Sequence, residues 1–319
     1  MRADVFRCPV CAGALTVADG GHSLRCQRRH TFDIARQGYV SLTGGAGARP
    51  DGDTAAMVRA RAEFLGSGAY EPIASALADA LTSGPSGIMA WPAFTVGSRT
   101  DSSPGTDPHP EPDPTPEFDL PRGAGSPSDH PVVADLGGGT GWYAAYLLDR
   151  LPGLDGVLLD ASTAAAKVAA RAHPRLSVAT ADVWSSLPLG TGTCSAALVI
   201  FAPRNAAEIE RVLVPGGLCC VVTPLPEHLG ELRATVPLLD IDPDKDPRLE
   251  RQFSAFSSYG QRDVVFTLRL DVPALTNLIA MGPNAFHLSI EQIRELAAST
   301  GPIDVTAATR IHLFVRRGL

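Results

Sequence analysis

Val132-Val-Ala-Asp-Leu-Gly-Gly-Gly-Thr-Gly-Trp-Tyr143 is the stretch whose reading decides the fold of this 319-residue chain. Val132 to Leu136 predicts a short strand buried on both faces. Glycines at 137, 138, 139 and 141 follow at once, and Trp142 to Leu151 reads as a helix. A glycine-rich turn between a strand and a helix N-terminus turns its amides towards an anion and lets a ligand approach the backbone closely. The spacing discriminates between ligands. A dinucleotide fingerprint needs G-x-G-x-x-G, and here Trp142 stands where its third glycine belongs.

Strands and helices alternate outward from that turn. Gly156–Asp160, Leu176–Thr180, Ser195–Phe201, Leu218–Thr223, Val264–Leu270 and Ile311–Val315 read as further strands. Thr163–Ala172, Ala206–Val214 and Ile290–Ser299 read as helices between them. This alternation predicts an α/β fold, a doubly wound, Rossmann-like sheet of seven strands with helices on both faces. Asp135 at a strand end, followed by Gly137, Gly139 and Gly141 as G-x-G-x-G, resembles the S-adenosylmethionine loop of class I methyltransferases. Asp160 ends the second strand about twenty residues on, where an acid receives ribose hydroxyls. Arg211-Val-Leu-Val-Pro-Gly-Gly217 resembles a turn common in the same class. Two readings of Asp182 stand, a contact to the adenine or a solvated loop acid.

The N-terminus carries different chemistry. Cys8-Pro-Val-Cys11 and Cys26-Gln-Arg-Arg-His30 have the paired spacing of a zinc ribbon or knuckle. Four protein ligands, Cys8, Cys11, Cys26 and His30, close a tetrahedron, so the metal is structural rather than catalytic. His22 competes with His30 but fits no paired spacing. Cys194, Cys219 and Cys220 lie in apolar runs and read as reduced core residues.

The composition, 45% hydrophobic, is that of a globular chain, and no apolar run is long enough to cross a bilayer. With no secretion signal at the start, the cytoplasm is the expected compartment. A net charge of −7 argues at first against a nucleic-acid partner. Its distribution weakens that argument, because residues 1–61 hold nine Arg and five Asp. Residues 84–131 hold seven acids, two Arg and eleven of the 27 prolines. Proline neither donates to a ladder nor continues a helix, so 84–131 reads as a disordered acidic insertion. Ahead of it, Asp53–Leu65 reads as a helix with Asp53 as N-cap, and Tyr70–Leu81 as a second. The expected organisation is a zinc-binding, RNA-recognising domain over 1–44, a helical connector over 45–83, the insertion, and a cofactor-binding domain over 132–319.

The chain as a whole resembles the RlmA-type 23S rRNA guanine-N1 methyltransferases, a family that includes tylosin-resistance enzymes. The likeness runs through Cys26–Leu42, Gly52–Tyr70, Phe201-Ala-Pro203, Arg211–Gly217 and Thr223–Leu232. It implies a class I methyltransferase fold with an N-terminal zinc ribbon, S-adenosylmethionine and zinc as cofactors, and 23S rRNA as the partner. It places Tyr70, the glycine loop with Tyr143, and His228 around the cofactor. From the residues alone, Tyr70 also reads as a helix-start packing residue and His228 as a surface histidine. The target guanine belongs beside Phe201-Ala-Pro-Arg-Asn205, where Phe201 is either a stacking or a core residue. No residue identifies itself as a general base for guanine N1. A homodimer is left open. Rival readings are a small-molecule methyltransferase and a zinc-ribbon RNA-binding protein with a non-catalytic cofactor fold. Antibiotic resistance of the tylosin type is an expectation of the likeness and of an Ala/Gly/Arg/Pro-rich composition. Deleting residues 88–128 is expected to change unfolding free energy by less than about 1 kcal/mol and to leave methyl transfer intact; a deletion variant that no longer folds would refute the insertion reading.

Overall fold

The strand expected at Val132–Leu136 is central to an eight-stranded sheet in a computed structural model, which describes residues 1–43, 52–83, 130–233, 236 and 245–318. In chain order the N-terminal module contributes β1 (Leu15–Ala18), β2 (Ser23–Cys26), β3 (Thr31–Asp33) and β4 (Tyr39–Ser41). Helices α1 (Ala55–Gly66) and α2 (Glu71–Ser83) follow. The alternating part runs β5 (Val132–Leu136), α3 (Trp142–Arg150), β6 (Asp155–Asp160), α4 (Thr163–Ala169), β7 (Leu176–Thr180), β8 (Cys194–Ile200), α5 (Ala206–Val212) and β9 (Leu213–Pro224). The chain ends with α6 (Gly230–Arg233), α7 (Lys245–Gln252), β10 (Phe256–Leu270), α8 (Val272–Ala280), α9 (Ile290–Thr300) and β11 (Ile303–Arg316). The proline-rich stretch 84–129, which carries nearly all of the insertion expected over 84–131, lies outside the described residues.

The sheet order is β10-β11-β9-β8-β5-β6-β7-β4. Strands from β9 to β4 are parallel, and β11 is antiparallel to both β9 and β10. The chain builds β5, β6 and β7 to one side, then returns to build β8 and β9 on the other side of β5. That reversal opens a crevice beyond the carboxyl ends of β5 and β8, where ligands bind in open α/β sheets. This topology is that of class I methyltransferases.

Seven strands were expected, and the eighth is β4. Tyr39, Val40 and Ser41 pair in parallel with Val178, Ala179 and Thr180 of β7. Three residues with one buried side chain are too short for a periodicity to show. The residue capping α1 also differs from expectation. Thr54, not Asp53, accepts the Met57 amide, and the Asp53 carboxylate is committed to Arg61 instead. Helix α8 was missed, although Asp271 caps it by accepting from Ala274 and proline stands in its first turn.

Two apolar clusters cover the two faces of the sheet. One packs α1, α2, α3, α4, α8 and α9 on Val133, Leu158, Leu198 and Val222. The other face is covered by α5, α7 and the N-terminal module, whose Phe6, Leu15, Leu24 and Val40 lie with Val132, Val157, Ala179 and Val199. Among the described residues no helix joins β7 to β8, and the module fills that place in the layer. Backbone bonds join the two parts: Arg7 donates to Pro188 at 2.9 Å, and Gly190 donates to Val5 at 2.8 Å. Arg2 pairs with Asp155 at 2.8 Å.

Phe6 is fully buried in this shared core. Phe6→Ala is expected to cost about 3–5 kcal/mol and to lower the melting temperature of the whole protein in one transition. Two separate transitions in calorimetry, with the larger unmoved, would show the module to be an independent unit.

Candidate functional site

The glycine loop lies at the carboxyl end of β5, as the spacing predicted. Gly137, Gly139 and Gly141 all have positive φ, a region that a side chain disfavours. A Cβ on Gly138 would fall 2.5 Å from Asp135 Oδ2, so that glycine lets the loop fold back over the acid. Asp160 holds the loop from the next strand. Its carboxylate accepts the Gly139 amide at 2.8 Å and the Ser162 amide at 2.8 Å. Burial raises the Asp160 pKa, and these two amides oppose the rise.

Asp135 is buried beneath the loop, and its Oδ2 has no hydrogen-bond partner among the described residues. Burial, reinforced by nearby Asp160, pushes its carboxyl up to about 7. The Thr140 hydroxyl and the Tyr143 hydroxyl are likewise buried without partners. Buried polar groups are ordinarily satisfied, and each orphan costs roughly 1–3 kcal/mol. Three orphans around one loop form a cradle for a polar ligand with a cationic group for Asp135.

Arg61 was missed by sequence reasoning. Its guanidinium reaches from α1 across the loop, and a Cβ on Gly139 would lie 3.1 Å from Nη1. It is paired with Asp53, and Nη2 donates to the Met281 carbonyl at 2.8 Å. The positive charge lowers the cost of ionising Asp160 and Tyr143. Its position at i+8 from Asp53 gave no local signal, since only the tertiary approach of α1 to β5 brings it here.

An aromatic rim continues the crevice beyond β8. Tyr70 is buried edge-on against Phe64 at 5.1 Å and faces Phe201, His228 and Phe266 at 6.2, 6.4 and 6.4 Å. The packing reading holds, since the buried ring packs at the start of α2. His228 is not a surface residue. It is buried, with Nδ1 accepting the Ala308 amide at 3.1 Å. Phe201 is not a core residue. It is 43% exposed and holds φ +51°, a strained conformation for an aromatic residue. Asp182 lies at the end of β7, with Oδ1 accepting from the Trp184 amide and Oδ2 from the Ser185 hydroxyl.

The metal quartet converges as its spacing predicted. One ligand atom from each of Cys8, Cys11, Cys26 and His30 lies within 4.8 Å of the others. His30 Nδ1 is 3.4 Å from both Cys8 Sγ and Cys26 Sγ, and Cys11 Sγ is 3.7 Å from Cys26 Sγ. Zinc bonds of about 2.3 Å to sulfur and 2.0–2.1 Å to nitrogen imply tetrahedral edges of roughly 3.5–3.8 Å, close to these separations, so the set fits Zn²⁺. Ala12 and Arg29, each just past the first ligand turn or within the second, take positive φ to wrap the chain about the site. His22 stands outside the cluster. Cys194, Cys219 and Cys220 are buried free thiols.

Residues 6–43 match the zinc-ribbon family described as RlmA, N-terminal. A Streptomyces fradiae protein named 23S rRNA (guanine(748)-N(1))-methyltransferase is 40% identical over 306 residues, 94% of this chain and 93% of its own. A Micromonospora griseorubida protein, provisionally designated a 23S rRNA (guanine-N(1)-)-methyltransferase, is 40% identical over 311 residues, 96% of this chain and 95% of its own. Among solved structures, the MccD protein aligns with a TM-score of 0.41 and 16% identity, over 59% of this chain and 90% of that one.

Cys11→Ser is expected to release the metal, measured as loss of one zinc per chain by elemental analysis. Because the module shares the sheet's core, the same change should lower the melting temperature of the whole protein. Stoichiometric zinc in the variant would overturn the ligand set.

Proposed function

This chain belongs to the RlmA-type 23S rRNA (guanine-N1)-methyltransferases, and we propose that it methylates N1 of a 23S rRNA guanine from a cofactor held over the Asp135–Gly141 loop. The observation that supports this reading best is the set of orphaned polar groups under the loop facing the Arg61 guanidinium. S-adenosylmethionine combines a carboxylate, an ammonium, a sulfonium and a ribose diol, and each has a counterpart here. Asp160, whose oxygens each keep a further lone pair, would hold the ribose. Arg61 would face the carboxylate, Asp135 the cationic end, and the Tyr143 and Thr140 hydroxyls the remaining polar edge. Tyr70 and His228 would close the pocket, and Asp182 would border the adenine.

When bound, the cofactor supplies a methyl on a positively charged sulfur, open to in-line displacement by guanine N1. The new bond would join N1 to the methyl carbon, the sulfur–carbon bond would break with its pair left on a neutral thioether, and the N1 proton would pass to solvent. The chain's contribution is alignment and exclusion of water. Phe201, exposed at the carboxyl end of β8, would stack on the guanine drawn out of the hairpin. Arg28, Arg29 and Arg36, exposed on the zinc module, would meet the phosphates. Among the described residues no helix is long and apolar enough to cross a membrane. We take the target to be the guanine that the Streptomyces fradiae relative's name specifies, with resistance to tylosin-type macrolides as the consequence.

Primer extension on undermethylated 23S rRNA tests the reaction, because a methyl on N1 blocks pairing and stops reverse transcriptase. A cofactor-dependent stop at that guanine is expected. No stop, with methylation of a small molecule instead, would replace this reading with the small-molecule one.

Asp160→Ala is expected to weaken S-adenosylmethionine binding at least tenfold by calorimetry, given about 1.5–3 kcal/mol for a hydrogen bond to a charged group, with zinc content unchanged. Binding should also depend on pH. With the Asp135 carboxyl pushed up to about 7, acidification protonates it in the free protein. A cationic ligand favours the ionised form, so affinity should rise from pH 5 to pH 7 and level off above. The sign for folding is opposite. A raised carboxyl pKa stabilises the fold at low pH, and that stabilisation is lost as pH rises through about 7. Asp135→Asn should flatten the binding profile; a wild-type profile already flat from pH 5 to 8 would remove Asp135 from the cationic end.

A further inference from the structure

Trp184 is the most exposed aromatic residue among those described, at 61%. Exposed aromatics are common on mobile loops, but Trp184 stands on a fixed one. Its amide donates to Asp182 Oδ1 at 2.9 Å, and its carbonyl accepts from Asn205 Nδ2 at 3.0 Å. Next to it, Leu187 donates its amide to Glu208 Oε2 at 2.7 Å. Arg211 then joins the Leu187 carbonyl at 2.9 Å, the Leu189 carbonyl at 2.8 Å and Glu208 at 2.6 Å. An apolar ring of this size is thus displayed to water by a braced backbone.

The loop's ends say what the ring faces. Asn205 closes the Phe201–Asn205 segment, so the bond to Trp184 ties the loop to the rim where the target guanine would sit. At the other end Pro188 and Gly190 bond to Arg7 and Val5 of the zinc module. Trp184 therefore lies on the strap between the arginine-bearing module and Phe201. An RNA hairpin held by one and presenting a base to the other would pass over it.

We propose that Trp184 is a stacking platform for an unpaired nucleobase of the rRNA hairpin loop, next to the base that is methylated. This rests on the rRNA reading of the site above. Stacking on an aromatic face needs no particular base and contributes mainly to holding the RNA. Trp184 is a substrate-binding residue that acts on KM rather than on the methyl-transfer step.

The test uses the full-length zinc-loaded protein and a 23S rRNA hairpin fragment carrying 2-aminopurine in its loop. Wild type is expected to methylate the fragment and change the 2-aminopurine fluorescence on binding. Trp184→Ala should raise Kd and KM for the hairpin about tenfold, equivalent to about 1.4 kcal/mol, with kcat within twofold. Trp184→Phe should restore most of the affinity, and S-adenosylmethionine binding should be unchanged in both. An unaltered Kd and KM in Trp184→Ala overturns the proposal. So does loss of cofactor affinity in both variants, which would mark a structural role. If wild type neither binds nor methylates the hairpin, the rRNA reading itself fails, an outcome separate from failure of Trp184 alone.

Discussion

The carboxylate of Asp160, bonded to the amides of Gly139 and Ser162, is the contact on which the site is assembled. It fastens the glycine loop of β5 to the turn that follows β6, so that two adjacent strand ends become one rigid floor. The same turn then receives the chain that enters α1, through the Ser162 hydroxyl on the Asp53 carbonyl at 2.7 Å. Asp53 in turn holds Arg61 over Gly139. A single acid at a strand end thus sets the loop, the helix above it and the cation between them. It also explains how three buried polar groups stay unpaired, since the loop has no freedom to turn towards them.

The zinc module belongs to the same body as the catalytic crevice. Its apolar residues share a core with the sheet, and β4 extends that sheet by one strand. A layer normally supplied by a helix between β7 and β8 is supplied by a metal-clamped unit too small to hold its shape alone. The metal therefore stabilises the sheet from outside, and the arginines beside it keep a fixed distance from Phe201.

Much of this was legible in the sequence. The β5 run and glycine spacing pointed to the fold because a short apolar run, a glycine turn and a helix in immediate succession carry a joint signal that the run alone lacks. The metal ligands were legible because paired spacing reflects local chain geometry. The place of Asp160 at the end of β6 was legible because strand ends recur at a regular interval, whereas its bonds to the Gly139 and Ser162 amides were not. Arg61 and β4 were not, since the first depends on how α1 docks and the second is three residues long. Phe201 and His228 were ambiguous for another reason. Phenylalanine serves a core or a stacking site, and histidine a surface loop or a pocket, and burial, which sequence does not carry, is what separates the readings.

The ends of the chain flanking residues 84–129 fall at the amino edge of the sheet, opposite the crevice. Ser83, at the end of α2, accepts from the Tyr259 hydroxyl near the start of β10, and the His130 carbonyl accepts from Arg2 just ahead of β5. Chain length can therefore drift at this junction without altering the distance from glycine loop to rim. For the experimenter the same geometry marks a place to graft a fluorophore, an affinity handle or a whole reporter protein.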